Sequence, residues 1–336
     1  MGMLRHFKGT LALAACGLFI VSIATFASAQ ERHFRFGYDQ PHTTGYGVGA
    51  DIFAAKLKEL SGGKWVVDQF PGAQLGQEPV MLQMIRSGDI DFIFSSSANA
   101  STLAPEAGVM SLHYLFRSEE HLLHSIANPA VVAEIQSMIA DRVQGAKVLA
   151  IITLGFRNIY SKQEIHSVAD MKGLKVRVQA TKTEDTHFPA YGAQTVHMPF
   201  GEVYTSLQTG VVQAAENGVN VYQSNKHYEV APVMSFTEHE ANNNFLWVSE
   251  KTWNSLSPTE QKWVSAAAAE VGKVEPVKAF ELEKESAAKL EKIGVKIIRN
   301  VDKSGFIAAA KPIQDTLAKE LGPHAVKILA LIRNVQ

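Results

Sequence analysis

The stretch "GLKVRVQA", Gly173–Ala180, alternates apolar and polar residues from Leu174 to Gln179. A repeat of two residues is typical of a β-strand with one apolar and one polar face. Arg177 lies on the polar face of this predicted strand. The alternation leaves two interpretations open, because a strand arginine either faces solvent, as most charged residues do, or binds an anion. The segments around the strand bear on that choice.

Strand-like and helix-like segments alternate through the first part of the chain. Gly45–Leu60 and residues 78–87 are predicted helices, and a glycine follows closely after each. They separate three predicted strands, "HFRFGYD", "KWVVDQF" and "DIDFIF". This β-α-β-α-β order predicts an α/β fold with a parallel sheet and helices on its faces.

The second part continues the alternation and adds a long helix. Further strands are predicted in "AKVLAIITL", "VVQAAEN" and "HEANNNFLWVSE". Ser257 and Pro258 are typical of a helix start, and helical sequence continues to about Lys292, with Pro276 expected to kink or interrupt it. Such a helix would be roughly 50 Å long at 1.5 Å per residue, so it indicates a protein of two lobes with the helix along both.

The first residues have the composition of an export signal. A basic start precedes an uncharged apolar run, Leu11–Phe26, and Ala27 and Ala29 form an A-x-A site. We predict a signal peptide at 1–29, cleaved after Ala29, and a periplasmic mature protein. The run is shorter than the ~20 residues of a membrane-spanning helix. The segment "LAAC", ending at Cys16, also resembles a lipoprotein box, so lipidation of Cys16 stays open.

Composition excludes several classes of function. Lys plus Arg total 32 and Asp plus Glu total 33, a net charge of -1, which gives no electrostatic reason to expect nucleic acid binding. Cys16 is the single cysteine, so the mature chain has no disulfide, no thiol catalysis and no cysteine-ligated metal. A small anion held by one or two arginines is compatible with this composition.

Motifs of catalysis and of cofactor binding are missing from the sequence. It contains no G-x-S-x-G, P-loop or H-E-x-x-H pattern, and its histidines are scattered. The segment "TEHE", 237–240, is interpreted as structural or ligand-contacting and not as a metal site. We therefore predict no catalytic residues, no metal and no cofactor, which weakens the hypothesis of an exported enzyme without excluding it.

Several segments in the right order resemble the DctP-like solute-binding proteins of tripartite ATP-independent periplasmic (TRAP) transporters. They are "PGAQLGQE", "SGDIDFIF", "DMKGLKVRV", "YGAQTVHMPFGEVYTSLQTGVV", "AEN" and "KHYEV". The resemblance covers essentially the whole mature chain. It implies a two-lobed α/β periplasmic-binding-protein fold with a long helix spanning both lobes. Lobe one would comprise 31–154 plus about 243–282, and lobe two 155–242 plus about 283–336.

The resemblance also implies a carboxylate site on lobe two. Arg177 matches the family's carboxylate-binding arginine, and a guanidinium suits this role because its parallel N–H donors match both carboxylate oxygens. Arg157 matches a second ligand-contacting arginine, expected directly after a strand. Asn217 matches an asparagine that donates to the same carboxylate, and Phe200 an aromatic that packs on the ligand. Taken without the resemblance, Arg177 is more often a solvated residue and Phe200 a core residue.

From lobe one, Asp39, Glu78 and Ser96 align with positions that face the rest of the ligand. As alternatives, the two carboxylates could be surface groups or helix caps. The sequence "ANNN" adds amides such as that of Asn242 near a hinge strand, unless these residues only cap a turn. Together with "FSSSANA", these hydroxyls and amides favour a hydroxylated ligand. The sequence departs from the family in one segment, which is "GVVQAAE" here and often "GVVDGxE" in the family. The replaced acid and glycine affect the expected turn geometry more than the expected ligand binding, because Glu216 and Asn217 are retained.

The expected function is a periplasmic solute receptor, not an enzyme. It would bind a small organic carboxylate, with a sugar acid such as a uronate or aldonate favoured, and deliver it to the small and large TRAP membrane subunits. The alternatives are a receptor for a C4-dicarboxylate or another organic acid, a receptor that serves signalling, and an exported enzyme on the same fold.

Overall fold

The computed structural model describes residues 31–336, and the predicted signal peptide with Ala29 and Cys16 lies outside them. In this part the strands form one mixed sheet in the order β2-β1-β3-β8-β4-β7-β5-β6, with β9 beside β8. The strands are β1 (Arg32–Gly37), β2 (Trp65–Phe70), β3 (Phe92–Ser96), β4 (Ala146–Ser161), β5 (Lys175–Val178), β6 (Gln194–His197), β7 (Ala214–Asn217), β8 (Val233–Ser249) and β9 (Lys296–Ile298).

Helices cover both faces of the sheet. Over residues 31–336, none of them combines the length and the apolar composition that crossing a bilayer requires. The α-helices are α1 (Gly45–Leu60), α2 (Glu78–Ser87), α3 (Ser97–Ala100), α4 (Glu119–Ala127), α5 (Pro129–Arg142), α6 (Lys182–Ala190), α7 (Val203–Thr209), α8 (Val219–Ser224), α9 (Glu250–Asn254), α10 (Pro258–Lys292), α11 (Ser304–Leu321) and α12 (Pro323–Arg333).

Two long strands, β4 and β8, join the two halves of the sheet. They pair antiparallel from Ala146–Ser249 to Ser161–Val233, with a register shift between Thr153 and Phe156. In the first half β1 runs parallel to β2 and β3, and in the second half β5 runs parallel to β6 and β7. The predicted parallel sheet is therefore correct within each half and wrong for β4 and β8, which pair antiparallel with each other and with β7 and β3, although β9 runs parallel to β8.

Each half of the sheet has its own hydrophobic core on both faces. In β8, Phe245 belongs to one core cluster of the first half and Leu246 to the other, because consecutive side chains of a strand point to opposite faces. In β4, Ile159 and Tyr160 divide in the same way between two clusters of the second half. This arrangement gives the fold two lobes.

The helix α10 packs against both halves, as the sequence predicted. Ser257 and Glu260 form a capping box at its start. Val264 lies in a first-half core and Leu290 in a second-half core. The helix continues through Pro276, so the expected interruption was wrong. Packing against two cores stabilises the turns on either side of this proline, which offsets the backbone hydrogen bond that it cannot donate.

The last two helices also contact both halves. Phe306 and Ala310 lie in a second-half core, whereas Leu317, Ile328 and Ile332 lie in a first-half core. The lobe boundaries stay a prediction, and this packing favours a boundary within α11 over the assignment of all of 283–336 to lobe two.

Candidate ligand-binding site

A narrow polar cavity of about 30 Å³ lies where strands of both halves end. β1, β3, β5 and β7 bring their carboxyl ends to it, the edge where open α/β sheets bind ligands. The structure brings together at this cavity all the residues predicted for the site, although their role in binding stays a prediction. They are Asp39, Glu78, Ser96, Arg157, Arg177, Phe200, Asn217 and Asn242.

Arg177 is buried near the end of β5, with 2% of its surface exposed. Its Nε and Nη2 donate to the Met198 carbonyl at 3.1 and 2.8 Å, and these are its hydrogen bonds within residues 31–336. The remaining N–H groups are therefore free to pair with a carboxylate in the cavity. Burial lowers the pKa of Arg177, because it removes water from the guanidinium, but an arginine stays charged at neutral pH.

Arg157 lies within β4 and not after its end, which corrects the predicted position. The strand continues past Gly155, whose φ of +83° accommodates the register shift. Arg157 pairs with Glu216, with Nη2 2.7 Å from Oε1, and Glu240 Oε2 lies 3.3 Å from its Nε. Burial acts to lower the pKa of Arg157, but the two carboxylates outweigh it and raise the pKa. Arg157 thus has protein partners that Arg177 lacks.

Asn217 ends β7 with a fixed amide orientation. Its Oδ1 accepts from Asn242 Nδ2 and from the Gly218 N–H, both at 2.9 Å, so its Nδ2 is the group left to donate to a ligand. Asn242 lies inside β8, which does not fit the alternative that it caps a turn. Its carbonyl accepts from Asn244 Nδ2 at 2.6 Å. Amides of two strands therefore form one rigid wall.

Glu78 organises the opposite wall from the start of α2. Its Oε2 accepts from the Ser96 N–H at 2.9 Å, from Ser96 Oγ at 2.8 Å and from Asn99 Nδ2 at 2.7 Å. Tyr46 Oη lies 2.9 Å from its Oε1 and 2.6 Å from Asn244 Oδ1. These contacts hold a buried carboxylate in one position, and Glu78 forms no salt bridge within residues 31–336.

Asp39 and Phe200 complete the predicted set. Asp39 follows β1, and Gln40 Nε2 donates to its Oδ1 at 3.0 Å. Burial, and secondarily the charge of Glu78, raises the pKa of Asp39. The Phe200 ring is partly buried, 5.8 Å from Arg177 Cζ and 5.4 Å from the ring of His227. It therefore forms an apolar wall beside the arginine.

Other residues that line the cavity were not predicted from the sequence. Gln179 lies two positions after Arg177, and its buried Oε1 has no hydrogen bond within residues 31–336. The alternation in "GLKVRVQA" placed both on one face, so a signal for Gln179 existed. Tyr46 lies in the first turn of α1, and nothing in the sequence pattern marked it as a ligand-facing residue. The missed polar residues are Gln40, Tyr46 and Gln179, whereas Asn99 and Asn244 belong to the segments "FSSSANA" and "ANNN", whose amides were expected to face the ligand.

The two walls differ in charge and in hydrogen bonding. The second-half wall presents donors, from Arg177 and from the amide of Asn217. The first-half wall presents mainly acceptors, from Asp39, Glu78 and Tyr46. This arrangement is complementary to a small molecule with a carboxylate at one end and hydroxyl groups along its length, because hydroxyls donate to acceptors of this kind.

Comparison with known proteins gives one consistent family. The model described as "Bacterial extracellular solute-binding protein, family 7" (DctP) matches residues 36–320. The 2,3-diketo-L-gulonate-binding periplasmic protein of Escherichia coli K12 is 29% identical over 95% of this chain and 97% of its own length.

Solved structures of the same kind match the whole described fold. A TRAP periplasmic solute-binding protein from Xanthobacter autotrophicus Py2 with bound β-D-galacturonate is 30% identical, covers 90% of this chain and 100% of its own, and gives a TM-score of 0.84. The sugar acid binding protein of Advenella mimigardefordensis in complex with galactonate is 26% identical over 91% and 99%, with a TM-score of 0.86. The chain therefore belongs to family 7 of the bacterial extracellular solute-binding proteins, the DctP family of TRAP receptors.

Proposed function

We propose that this protein is a periplasmic receptor that binds a sugar acid with one carboxylate, such as a hexuronate or an aldonate. The observation that carries the proposal is Arg177, a buried arginine without a carboxylate partner that faces a polar cavity. A buried cation of this kind is costly unless it is paired, and a ligand carboxylate supplies the pair. Arg157, Asn217 and Phe200 would orient the same end of the ligand.

The other end of the ligand would carry hydroxyl groups. Glu78, Asp39 and Tyr46 offer acceptors, and Asn99 and Gln179 offer amides, which both donate and accept. The relatives support this ligand class, since their names and structures record 2,3-diketo-L-gulonate, galacturonate and galactonate.

The alternative of a C4-dicarboxylate fits the first-half wall less well. A second ligand carboxylate would lie against the Glu78 carboxylate, whose oxygens already accept hydrogen bonds from the protein, and would be repelled at close range in a site with little water. Hydroxyl groups avoid this repulsion and donate to the same oxygens. The acidic wall thus favours one carboxylate over two.

Ligand entry would require the halves to separate. The cavity holds about 30 Å³, whereas pockets for small molecules usually measure roughly 300–1,000 Å³. β4 and β8 cross between the halves, and the register shift at Thr153–Phe156 marks a place for hinge motion. After export and removal of the signal peptide, the closed receptor would deliver its ligand unchanged to the small and large TRAP membrane subunits.

Isothermal titration calorimetry tests the proposal with four compounds: D-galacturonate, D-galactonate, D-galactose and succinate. We expect the two sugar acids to bind and the neutral sugar to bind at least about 100-fold more weakly, because it leaves Arg177 unpaired. Equal binding of galactose would overturn the carboxylate assignment, and preference for succinate would favour the dicarboxylate alternative. NMR of the recovered ligand distinguishes receptor from enzyme, since a receptor returns it unaltered.

A further inference from the structure

A second buried polar region, the histidine cluster, lies on the other side of Arg157 from the ligand cavity. We define it as His113, Glu184, His187, His239 and Glu240, none more than 3% exposed. His113 follows the 3-10 helix Pro105–Ser111, the next two residues lie on α6, and the last two lie on β8. None of the five lines the ligand cavity. The receptor function thus gives this cluster no role.

We propose that His113, His239, Glu240 and Glu184 form a binding site for one Zn²⁺ ion. Ligand atoms of the first three lie within 4.8 Å of one another. Glu184 Oε2 lies 3.4 Å from His113 Nε2. Two ligands of a tetrahedral zinc ion, with bonds of roughly 2.0–2.2 Å, stand about 3.3–3.6 Å apart. Ligand atoms of His113, His239 and Glu240 that lie up to 4.8 Å apart would therefore have to approach one another by up to about 1.2–1.5 Å to reach zinc geometry.

The atoms that would bind the ion have no hydrogen bond within residues 31–336. They are His113 Nε2, His239 Nε2, Glu240 Oε2 and both carboxylate oxygens of Glu184. Buried polar atoms of native proteins are nearly always hydrogen-bonded, so this many orphaned acceptors and imidazole nitrogens at one point indicate a missing partner. Glu240 Oε2 does lie 3.3 Å from Arg157 Nε, which holds that oxygen beside the cluster.

The opposite ring nitrogens are oriented as in metal-binding histidines. Tyr191 Oη lies 2.9 Å from His113 Nδ1, and Thr237 Oγ1 lies 2.8 Å from His239 Nδ1. Such a partner on one nitrogen fixes the ring and leaves the other as the metal ligand. A hydroxyl accepts a hydrogen bond from an Nδ1–H group, and in that tautomer both Nε2 atoms carry lone pairs into the cluster.

The charges of the region also favour a divalent cation. Arg157 and Glu216 neutralise each other, which leaves the carboxylates of Glu184 and Glu240 without a full counter-charge. One Zn²⁺ ion balances two carboxylates, and paired imidazoles and carboxylates are ligands that zinc accepts.

The measurement is the zinc content of the full mature protein, purified without a metal-affinity tag. Bound metal is removed with dipicolinate, zinc chloride is added, excess is removed by gel filtration, and zinc is counted by mass spectrometry. We expect about one zinc per chain. Cobalt(II) in place of zinc should give the visible absorption of a tetrahedral site, and the melting temperature should fall on chelation.

Two variants, His113→Gln and Glu184→Gln, should each reduce retained zinc by at least about tenfold, since even the loss of a group that only orients a metal ligand typically lowers metal affinity by about 10–100-fold. His227→Gln is the matched control, since it is another buried histidine, bonded to Tyr160, outside the cluster. Wild-type protein that retains less than about 0.1 zinc per chain and shows no cobalt absorption would overturn the proposal, even if the variants fail to fold. Full zinc retention in both variants would overturn it as well.

Discussion

The ligand cavity and the histidine cluster are both buried and polar, and Arg157 borders both, but they distribute hydrogen bonds differently. In the cavity, Glu78 lies within hydrogen-bonding distance of four donor groups of the protein. In the cluster, Glu184 has none, although it is equally buried. The cavity therefore holds its wall groups in place through hydrogen bonds, and groups of Arg177, Asn217 and Gln179 that have no hydrogen-bond partner within residues 31–336 stay available to a ligand. The cluster leaves its acceptors unpaired, which only a cation or added protons would satisfy.

The largest effect is expected from Arg157→Ala, because Arg157 lines the ligand cavity and also pairs with a carboxylate of the histidine cluster. The variant leaves Glu216 and Glu240 buried without their cation, and removal of one partner of a buried ion pair costs about 3–5 kcal/mol. Chemical denaturation should show this loss in the free energy of unfolding. A loss below 1 kcal/mol would mean that the carboxylates are already protonated when Arg157 is present.

Arg177→Ala should separate binding from stability. It removes a cation with no carboxylate partner in residues 31–336, so unfolding should change little beyond the two hydrogen bonds to Met198, about 1 kcal/mol each. Affinity for galacturonate should fall by about 2–5 kcal/mol, or roughly 30-fold to several thousand-fold, by calorimetry. The exposed Arg299, paired with Glu291, gives the control Arg299→Ala. Equal affinities of the two variants would show that the carboxylate binds elsewhere.

The smallest effect concerns Glu283 on α10, a reference carboxylate outside both regions. It accepts from the N–H groups of Val219 and Asn220 at 2.8 and 2.6 Å, and burial raises its pKa to about 8. Between about pH 4.5 and 8 the folded protein keeps a proton that the unfolded chain releases, so the free energy of unfolding falls as pH rises, by at most about 1.4 kcal/mol per unit.

The variant Glu283→Gln isolates this contribution. Asp39 and the cluster carboxylates act in the same direction, so the difference between the wild-type and variant curves measures Glu283 alone. The variant curve should be flatter between pH 4.5 and 8. Parallel curves would show that Glu283 is ionised in the folded protein.

Local signals predicted much of the fold and the cavity. Gly45–Leu60 and residues 78–87 were predicted with the bounds that the structure shows, because start and stop residues determine helix ends locally. All eight predicted residues lie around one cavity, and four of them, Asp39, Ser96, Arg177 and Asn217, lie at or near the carboxyl ends of strands at the same edge of the sheet.

Features that depend on distant pairing were not predictable. Arg157 was expected after a strand, but β4 continues past Gly155 because β8 pairs with it on both sides of the shift. The histidine cluster joins His113, His187 and His239, whose separation in the chain hides any metal-ligand spacing. The segment "TEHE" contains His239 and Glu240 of the cluster. The other members lie on other elements, and no local sequence pattern connects those elements to this segment.

The small volume of the cavity also determines how quickly a ligand is exchanged. A sugar acid enclosed there cannot dissociate while the halves remain together, so its residence time is set by how often the protein opens and not only by the strength of its contacts. Observed association rates should level off at high ligand concentration, where opening and not diffusion limits encounter. Release of the ligand then depends on what opens the protein.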